Sequence, residues 1–580
     1  MTQKTRDLLL HIVRGAMFSV GLFVTAALIY EYGFGLEGGL SQFMHEYELA
    51  AAYIFCFLQL FKLAIVRHPI KFIRKNWLEF VLVFLMFFQL GAGLAITSSP
   101  EYEYLAQHYK HLPLTQISLV FVQMYFLITA FIESSAFHRF LSRLKLQPVL
   151  MVAVSFASII AAGGALLKLP KAVNPGCSLS WTDAFFTATS AVCVTGLGTV
   201  DTGTTFSLLG QIITMFLIQI GGLGVITFTV FMAFFSGEGI YGDDVKKIMV
   251  ILDEDSGSAK AALFKIFAVT LAIEAMGAYL LFRGLNTEIA DPVYRAYFAL
   301  YHSVSAFCNA GFGLYADSLV KFRSDAFIML VFCGLITAGS IGMPIIFNLP
   351  ASLKNFMRGR FSEIPAHFKT VVGITFLLIA GGTLVFFLLA GTGFMDGFSI
   401  KDKFLSSLFL TITTRTCGFT SIDLSGLSFT VTWLCVLYMF IGGSPASTAG
   451  GIKTAGAGVL CAAAWKRLFK KPYEAVRLAG TVVISKTVKK AVIITVVLFL
   501  GALSASSFIY SIETFPFRKV VFEVVSAIAT VGLSMGITAD LSVVSKWVII
   551  FCMYVGRVSP GIIVIMLNNR NPEKEDIILG

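Results

Sequence analysis

Charge is what this sequence most conspicuously lacks. Only 13% of its 580 residues are Asp, Glu, Lys or Arg, against about 25% in an average soluble domain. So few charges cannot cover a water-facing globule. With 57% of residues hydrophobic and a mean hydropathy of +0.83, the surface itself would have to be apolar, which places the chain in a bilayer. Metal-ligand spacing is missing too. Most of the nine cysteines lie in apolar runs (Cys56, Cys333, Cys435, Cys461, Cys552) and read as small hydrophobes rather than a disulfide framework or a metal site. The eight histidines are scattered, and acids inside the apolar runs are few (Glu79, Glu133, Glu274), so a membrane-embedded enzyme has no cluster to work with. No G-x-G run stands between a strand and a helix. The chain therefore has no nucleotide-binding domain of its own, and no tightly bound organic cofactor is expected. Its 44 Lys and Arg exceed its 33 Asp and Glu. That excess fits basic residues gathered in cytoplasmic loops better than a nucleic-acid partner.

What the sequence has in quantity is long apolar runs. About 20 residues cross a hydrocarbon core of roughly 30 Å, and runs of that size occur near 8–30, 48–66, 77–97, 115–137, 148–169, 204–236, 263–283, 323–350, 369–393, 428–465, 487–511 and 542–567. The first follows Lys4 and Arg6 but lacks a clear cleavage box, so it reads as a membrane helix rather than a signal peptide. When these twelve spans are counted in order, four basic groups share one side: Arg67–Lys75, Arg139–Lys145, Lys354–Lys369 and Lys466–Lys490. Loop 31–47 has no Lys or Arg, and loop 98–114 has only Lys110. The expectation is a multi-pass protein of the cell (inner) membrane with both termini cytoplasmic.

One phrase then recurs four times: "TSAVCVTGLGTVD" (189–201), "HSVSAFCNAGFGLYAD" (302–317), "TITTRTCGFTSID" (411–423) and "SAIATVGLSMGITAD" (526–540). Each centres on a glycine followed by Leu or Phe (Gly196, Gly311, Gly418, Gly532), at spacings of 115, 107 and 114 residues. Each is preceded by an apolar span and a stretch too short to cross, and is followed by another long run. A second Gly-rich phrase lies in register, its second residue 25, 28, 24 and 24 residues after the loop glycine (Gly221, Gly339, Gly442, Gly556). The unit is helix, half-helix, glycine loop, helix.

Non-helical backbone at membrane depth survives only where it lines a polar cavity or is buried in protein. Four such loops around one axis could turn carbonyls inward and replace a cation's hydration shell, with the negative ends of the half-helices aimed at the ion. Gly residues serving tight helix packing are the alternative. A twelve-span secondary carrier would show two related halves rather than four units. Cys193, Cys308 and Cys417 near the loops read as packing residues or redox sensors. Asp201, Asp317, Asp423 and Asp540, shortly after each glycine, would gather cations or cap loops.

With these motifs in place, residues 148–567, about 72% of the chain, resemble the pore subunits of the Trk/Ktr/HKT potassium transporter superfamily. "VCVTGL", "FCNAGF", "TTRTCGF", "IATVGL" and "GGSPASTAGGIKT" carry the likeness. The resemblance implies an all-α integral membrane protein whose four tandem helix–pore-loop–helix repeats form a pseudo-fourfold pore. The repeats would occupy 146–250, 251–360, 361–480 and 481–580. It implies transport of potassium through a filter of Val194, Thr195, Gly196, Asn309, Ala310, Gly311, Thr416, Cys417, Gly418, Thr530, Val531 and Gly532. Glycine at all four filter positions goes with potassium rather than sodium. It also implies a gate in which Gly442, Gly443, Ser444, Ser447, Thr448, Gly450 and Gly451 interrupt the third unit's second helix. Arg557, where the other units have Gly222, Ser340 and Gly443, would be a barrier or latch, or else an Arg snorkelling to headgroups. Arg415 would brace the third loop.

Residues 1–145 depart from the family pattern with about four extra spans. Arg139, Arg143 and Lys145 lack the spacing of a voltage-sensor helix, so this region reads as a scaffold or docking surface. By resemblance the partners are a second copy in a homodimer, a cytoplasmic Rossmann-type nucleotide-binding subunit supplied in trans, and the lipid bilayer.

Overall fold

The computed structural model describes residues 148–223, 259–391, 393–444, 447–469, 476–478, 481–483 and 485–558, with scattered positions between 5 and 72. The chain divides into two units, Met1–Lys145 and Leu146–Gly580. In the first, Val13, Met17 and Ile65 are buried against Leu9, Leu10, Val20 and Leu58. The spans expected at 77–97 and 115–137 lie outside the described residues, and those at 8–30 and 48–66 are described only in part.

In the second unit, alternating long and short apolar runs become helices of two lengths. The first repeat has α1 (Pro148–Leu167), α2 (Trp181–Val192) and α3 (Leu208–Gly222). The second has α4 (Ala259–Gly284), α5 (Pro292–Phe307), α6 (Ala326–Ile341) and α7 (Met343–Met357). The third has α8 (Ala366–Leu389), α9 (Ile400–Thr413), α10 (Phe429–Phe440) and α11 (Thr454–Leu468). Strands β1 (Val476–Leu478) and β2 (Thr481–Val483) pair antiparallel before the fourth repeat. That repeat has α12 (Ser485–Ile512), α13 (Phe517–Ile528) and α14 (Val543–Val558).

The half-helices α2, α5, α9 and α13 have 12, 16, 14 and 12 residues, too few to cross the hydrocarbon core. Ser180, Asp291 and Ser399 cap the first three by accepting backbone N–H bonds, and every half-helix ends at its glycine loop. Their last turns are buried on all sides. The long helices are different. Among the described residues, Phe264–Thr287, Phe368–Leu389 and Ala491–Ile512 are long and apolar enough to span. They leave Phe264, Phe376, Leu388 and Phe499 more than half exposed, as a lipid-facing surface requires. A long helix covers its own half-helix in each repeat: α1 on α2, α4 on α5, α8 on α9, and α12 with α14 on α13.

Besides 428–465, whose interruption is expected, the 323–350 span is not a single helix. It breaks at Gly342, whose φ of 90° is left-handed, and α6 and α7 meet at 104°. Pro344 explains the restart. It has no N–H to continue α6 and suits the first turn of a new helix.

The first and fourth repeats are joined by charge. Lys546 at the start of α14 sits 3.0 Å from Asp183 on α2, both side chains mostly covered. Asp183 in turn accepts from Ser180 Oγ at 2.6 Å. Lys546→Met leaves Asp183 covered without its cation, and we expect it to destabilise the detergent-solubilised protein by about 1–3 kcal/mol. Asp183→Asn in the same chain should recover much of that loss. Thermal unfolding of the single and double variants checks both statements.

Candidate functional site

Three of the four loops leave their half-helices in closely similar ways. Thr195, Ala310 and Val531 each donate a backbone N–H to a serine carbonyl five residues back (Ser190, Ser305, Ser526; 2.7–2.8 Å). Ser190 and Ser526 also accept, through Oγ, the N–H of Gly196 and Gly532 at 3.0 Å. These serines belong to Ser-Ala pairs six residues before three of the four glycines, a signal present in the sequence but not singled out there. The third loop has Ile412 at that place and is tied differently. Cys417 N–H donates to Thr413 O, and Thr413 Oγ1 donates to Phe419 O at 2.7 Å.

Backbone strain gathers at equivalent positions. Val194, Asn309 and Thr530 have φ of 55°, 59° and 49°, and Gly196, Gly311, Gly418 and Gly532 have φ of 95°, 69°, 87° and 91°. Left-handed φ is rare for β-branched Val and Thr and costs on the order of 1–3 kcal/mol, so it persists where the surroundings impose it. Thr416, the matching residue of the third loop, is not left-handed.

The four loops meet in a closed ring. A Cβ built on Gly196 would lie within 2.8 Å of Ala310 O, one on Gly311 of Cys417 O, one on Gly418 of Val531 O, and one on Gly532 of Thr195 O. Each glycine thus faces the carbonyl just before the next loop's glycine, and the fourth returns to the first. The twelve residues from Val194 to Gly532 singled out in the sequence are therefore brought together. Cys193, Cys308 and Cys417 are buried and form no disulfide. Asp201 and Asp423 act as caps, accepting from Thr204 N–H at 2.7 Å and Ser425 N–H at 2.8 Å.

The second Gly-rich phrase packs in register. Gly221, Gly339 and Gly556 sit against the last carbonyls of the half-helices, Val192, Phe307 and Ile528, too close for any side chain. In the third repeat the chain leaves the helix instead. Between α10 and α11, Gly442 donates to Ile452 O (2.9 Å), and Ile441 and Ile452 form a parallel bridge.

That interrupted segment touches the second and fourth repeats directly. Ser444 N–H donates to Ser340 O (2.9 Å) and its Oγ bonds Ile341 O. Ser447 Oγ donates to Ser444 O at 2.6 Å. Asn309 Oδ1 accepts from Thr448 Oγ1 at 2.7 Å and from Ser340 N–H at 3.2 Å, while its Nδ2 donates to Ile336 O at 3.1 Å. Gly450 lies against Thr530 of the fourth loop, and Gly443 against Ser340 O. Gly451 is left-handed, with φ of 67°.

Two arginines hold this segment. Arg415, 3% exposed, donates to Gly442 O (3.1 Å) and Thr454 Oγ1 (3.3 Å), so the brace read for the third loop runs to the break itself. Arg557, 6% exposed, donates to Thr448 O in the break and to Gly221 O at the end of α3. Its guanidinium therefore joins the first, third and fourth repeats instead of extending to an exposed end. Lys453 donates to Ala449 O at 2.8 Å, a third cation of the segment that the sequence did not single out. The lysine inside "GGIKT" was its signal.

The profile of the TrkH cation transport proteins matches residues 117–571. The potassium/sodium uptake protein NtpJ of Enterococcus hirae is 34% identical over 76% of this chain and 98% of its own. The Ktr system potassium uptake protein B is 34% identical in Bacillus subtilis over 72% of this chain and 92% of its own, and 34% identical in Vibrio alginolyticus over 73% and 91%. The fold matches the crystal structure of the potassium transporter TrkH from Vibrio parahaemolyticus, with a TM-score of 0.59, 20% identity, and coverage of 84% of this chain and 97% of that one. On this evidence the chain belongs to the TrkH family of cation transport proteins, multi-pass membrane transporters and not enzymes.

Proposed function

We propose that this chain takes up potassium through a channel-like pore. The loops at Gly196, Gly311, Gly418 and Gly532 are its selectivity filter, and the 442–451 segment with Arg557 is its gate. The observation that carries the reading is the closed ring, in which each loop glycine abuts the carbonyl preceding the next glycine. A ring of backbone carbonyls is the chemistry that replaces a monovalent cation's water. Potassium in the names of the relatives supports the choice of ion. The gate reading is supported by contacts of the 442–451 segment with Asn309 and Thr530, one residue from each of two filter loops. Homodimerisation, a nucleotide-sensing Rossmann-type subunit in trans, an inner-membrane location and cytoplasmic termini complete the proposal.

Rubidium and sodium flux into proteoliposomes tests it, wild type beside Gly311→Ser. Gly311 has φ of 69° and its Cβ position collides with Cys417 O. Serine there should cut potassium-blocked rubidium uptake at least about tenfold or let sodium through. The name of the Enterococcus relative includes sodium; equal rubidium and sodium flux in wild type would favour that unselective reading. No alkali-ion flux in wild type, with or without a nucleotide-binding subunit, would sink the pore altogether.

A further inference from the structure

Nine residues before each loop glycine, the half-helices carry Thr187, His302, Phe409 and Glu523. Two of these have a strong acceptor, and both direct it at the same atom of their own loop, the backbone N–H three residues past the glycine. His302 Nε2 accepts from Leu314 N–H at 3.2 Å, and its Nδ1 lies 2.9 Å from Phe298 O. Those partners require a neutral ring with its proton on Nδ1. Glu523 Oε1 accepts from Met535 N–H at 2.9 Å and Ser534 Oγ at 2.6 Å, and Oε2 accepts from Thr538 Oγ1 at 2.9 Å. Both side chains are fully buried. The other two positions do nothing comparable. Thr187 Oγ1 has no hydrogen-bond partner among the described residues, and Phe409 has no polar atom.

The order of contacts around the ring makes the second and fourth loops diagonal to one another. The outer halves of these loops run where neither helix nor sheet pairs them, so side-chain acceptors must satisfy their buried N–H groups. The His302 ring also stacks on Phe298, with centroids 3.9 Å apart, and lies 6.1 Å from Phe419, the residue after Gly418. It therefore props its own loop and touches its neighbour's.

We infer that Glu523 and His302 are positioning residues. Each posts the outer half of one of two opposed loops, and together they set the ring's discrimination between cations. The inference rests on the filter reading above and adds to it the residues that fix the filter's width. It explains why the same helical position carries a strong acceptor in two diagonal repeats. Three donors converge on Glu523, which leaves its carboxylate with no free direction to move.

The test uses the full chain in proteoliposomes and compares rubidium with sodium uptake for Glu523→Ala, Glu523→Gln, His302→Ala and His302→Gln. Glutamine keeps an acceptor near the original atom and alanine removes it. We expect each alanine variant to lose about tenfold in rubidium-over-sodium preference, the ratio one lost buried hydrogen bond carries, and each glutamine variant to stay within about twofold of wild type. Size-exclusion profile and thermal unfolding establish that the variants compared are folded. Where an alanine variant does not fold, its glutamine variant decides: preserved preference supports the inference, and lost preference in folded protein overturns it. Folded alanine variants with wild-type preference overturn it as well, while Gly311→Ser still disturbs flux and leaves the filter reading standing. An absence of wild-type flux overturns the filter reading itself.

Discussion

Gly532→Ala is expected to abolish potassium-blocked rubidium uptake, to below about one-hundredth of wild type, in protein that still purifies folded. Two costs meet at this position. The φ of 91° is a left-handed conformation in which a Cβ costs about 1–2 kcal/mol. The larger cost is steric: the new methyl lands on Thr195 O of the first loop and also presses on Thr195 C and Gly196 Cα, all of them backbone. A flexible side chain could swing aside, but a loop held at Ser190 by two hydrogen bonds cannot. The ring must open at the contact that closes it, and a displacement of about 1 Å in a preorganised site is worth some hundredfold. Gly536→Ala is the matched control. Its φ is 84°, but nothing lies within 4 Å of the added methyl, so it bears the strain without the collision. Its expected cost is about 1 kcal/mol of stability with flux nearly intact. Rubidium uptake by Gly532→Ala equal to that of Gly536→Ala would mean that ions do not pass through this ring.

Arg557→Gln is expected to have the opposite sign: the maximal rate of rubidium uptake should rise about tenfold. Arg557 is a buried cation bonded to Thr448 O of the interrupted segment and Gly221 O of the first repeat. It acts in two ways that substitution can separate. As a charge it opposes a passing cation, with a repulsion of about 4 kcal/mol at 4 Å for an effective dielectric constant near 20. As a fork it fastens the segment to two repeats at once. Glutamine removes the charge and keeps one short donor. Lysine keeps the charge but is a point donor unable to serve both carbonyls from one planar group. The charge account therefore expects a large rise with Gln and a small one with Lys. If the fork dominates, Lys raises uptake as much as Gln does. Initial rates at saturating rubidium separate these cases, and a folded Gln variant with unchanged or slower uptake would remove Arg557 from the gate.

Much of this site was legible because its requirements are local. A half-helix too short to cross, a glycine with a positive φ and a second glycine packed on a helix-end carbonyl each restrict the residue that occupies them. Hence Gly196, Gly311, Gly418 and Gly532 could be aligned, and Gly221, Gly339 and Gly556 found in register at 25, 28 and 24 residues. The bend at Gly342 was missed because apolarity counts residues and says nothing about the angle between the helices they form. The partners of Arg415, Asn309 and Glu523 were not legible either, since each depends on which atoms come within hydrogen-bonding distance after the repeats assemble.

Taken alone, the sequence determined that the chain lives in a membrane and repeats one unit four times, with a glycine at the centre of each. Transfer free energy and backbone sterics act residue by residue, so composition and spacing record them. Tertiary structure alone decided how the four loops close on one another and which groups answer each buried donor. Asn309 meets Thr448 across 139 residues of chain, and Arg557 reaches Gly221 across 336. Contacts of that range follow from the repeats packing around a common axis. There a buried polar atom takes whichever partner the neighbouring repeat presents, because leaving it unpaired in an apolar interior costs more than any local preference.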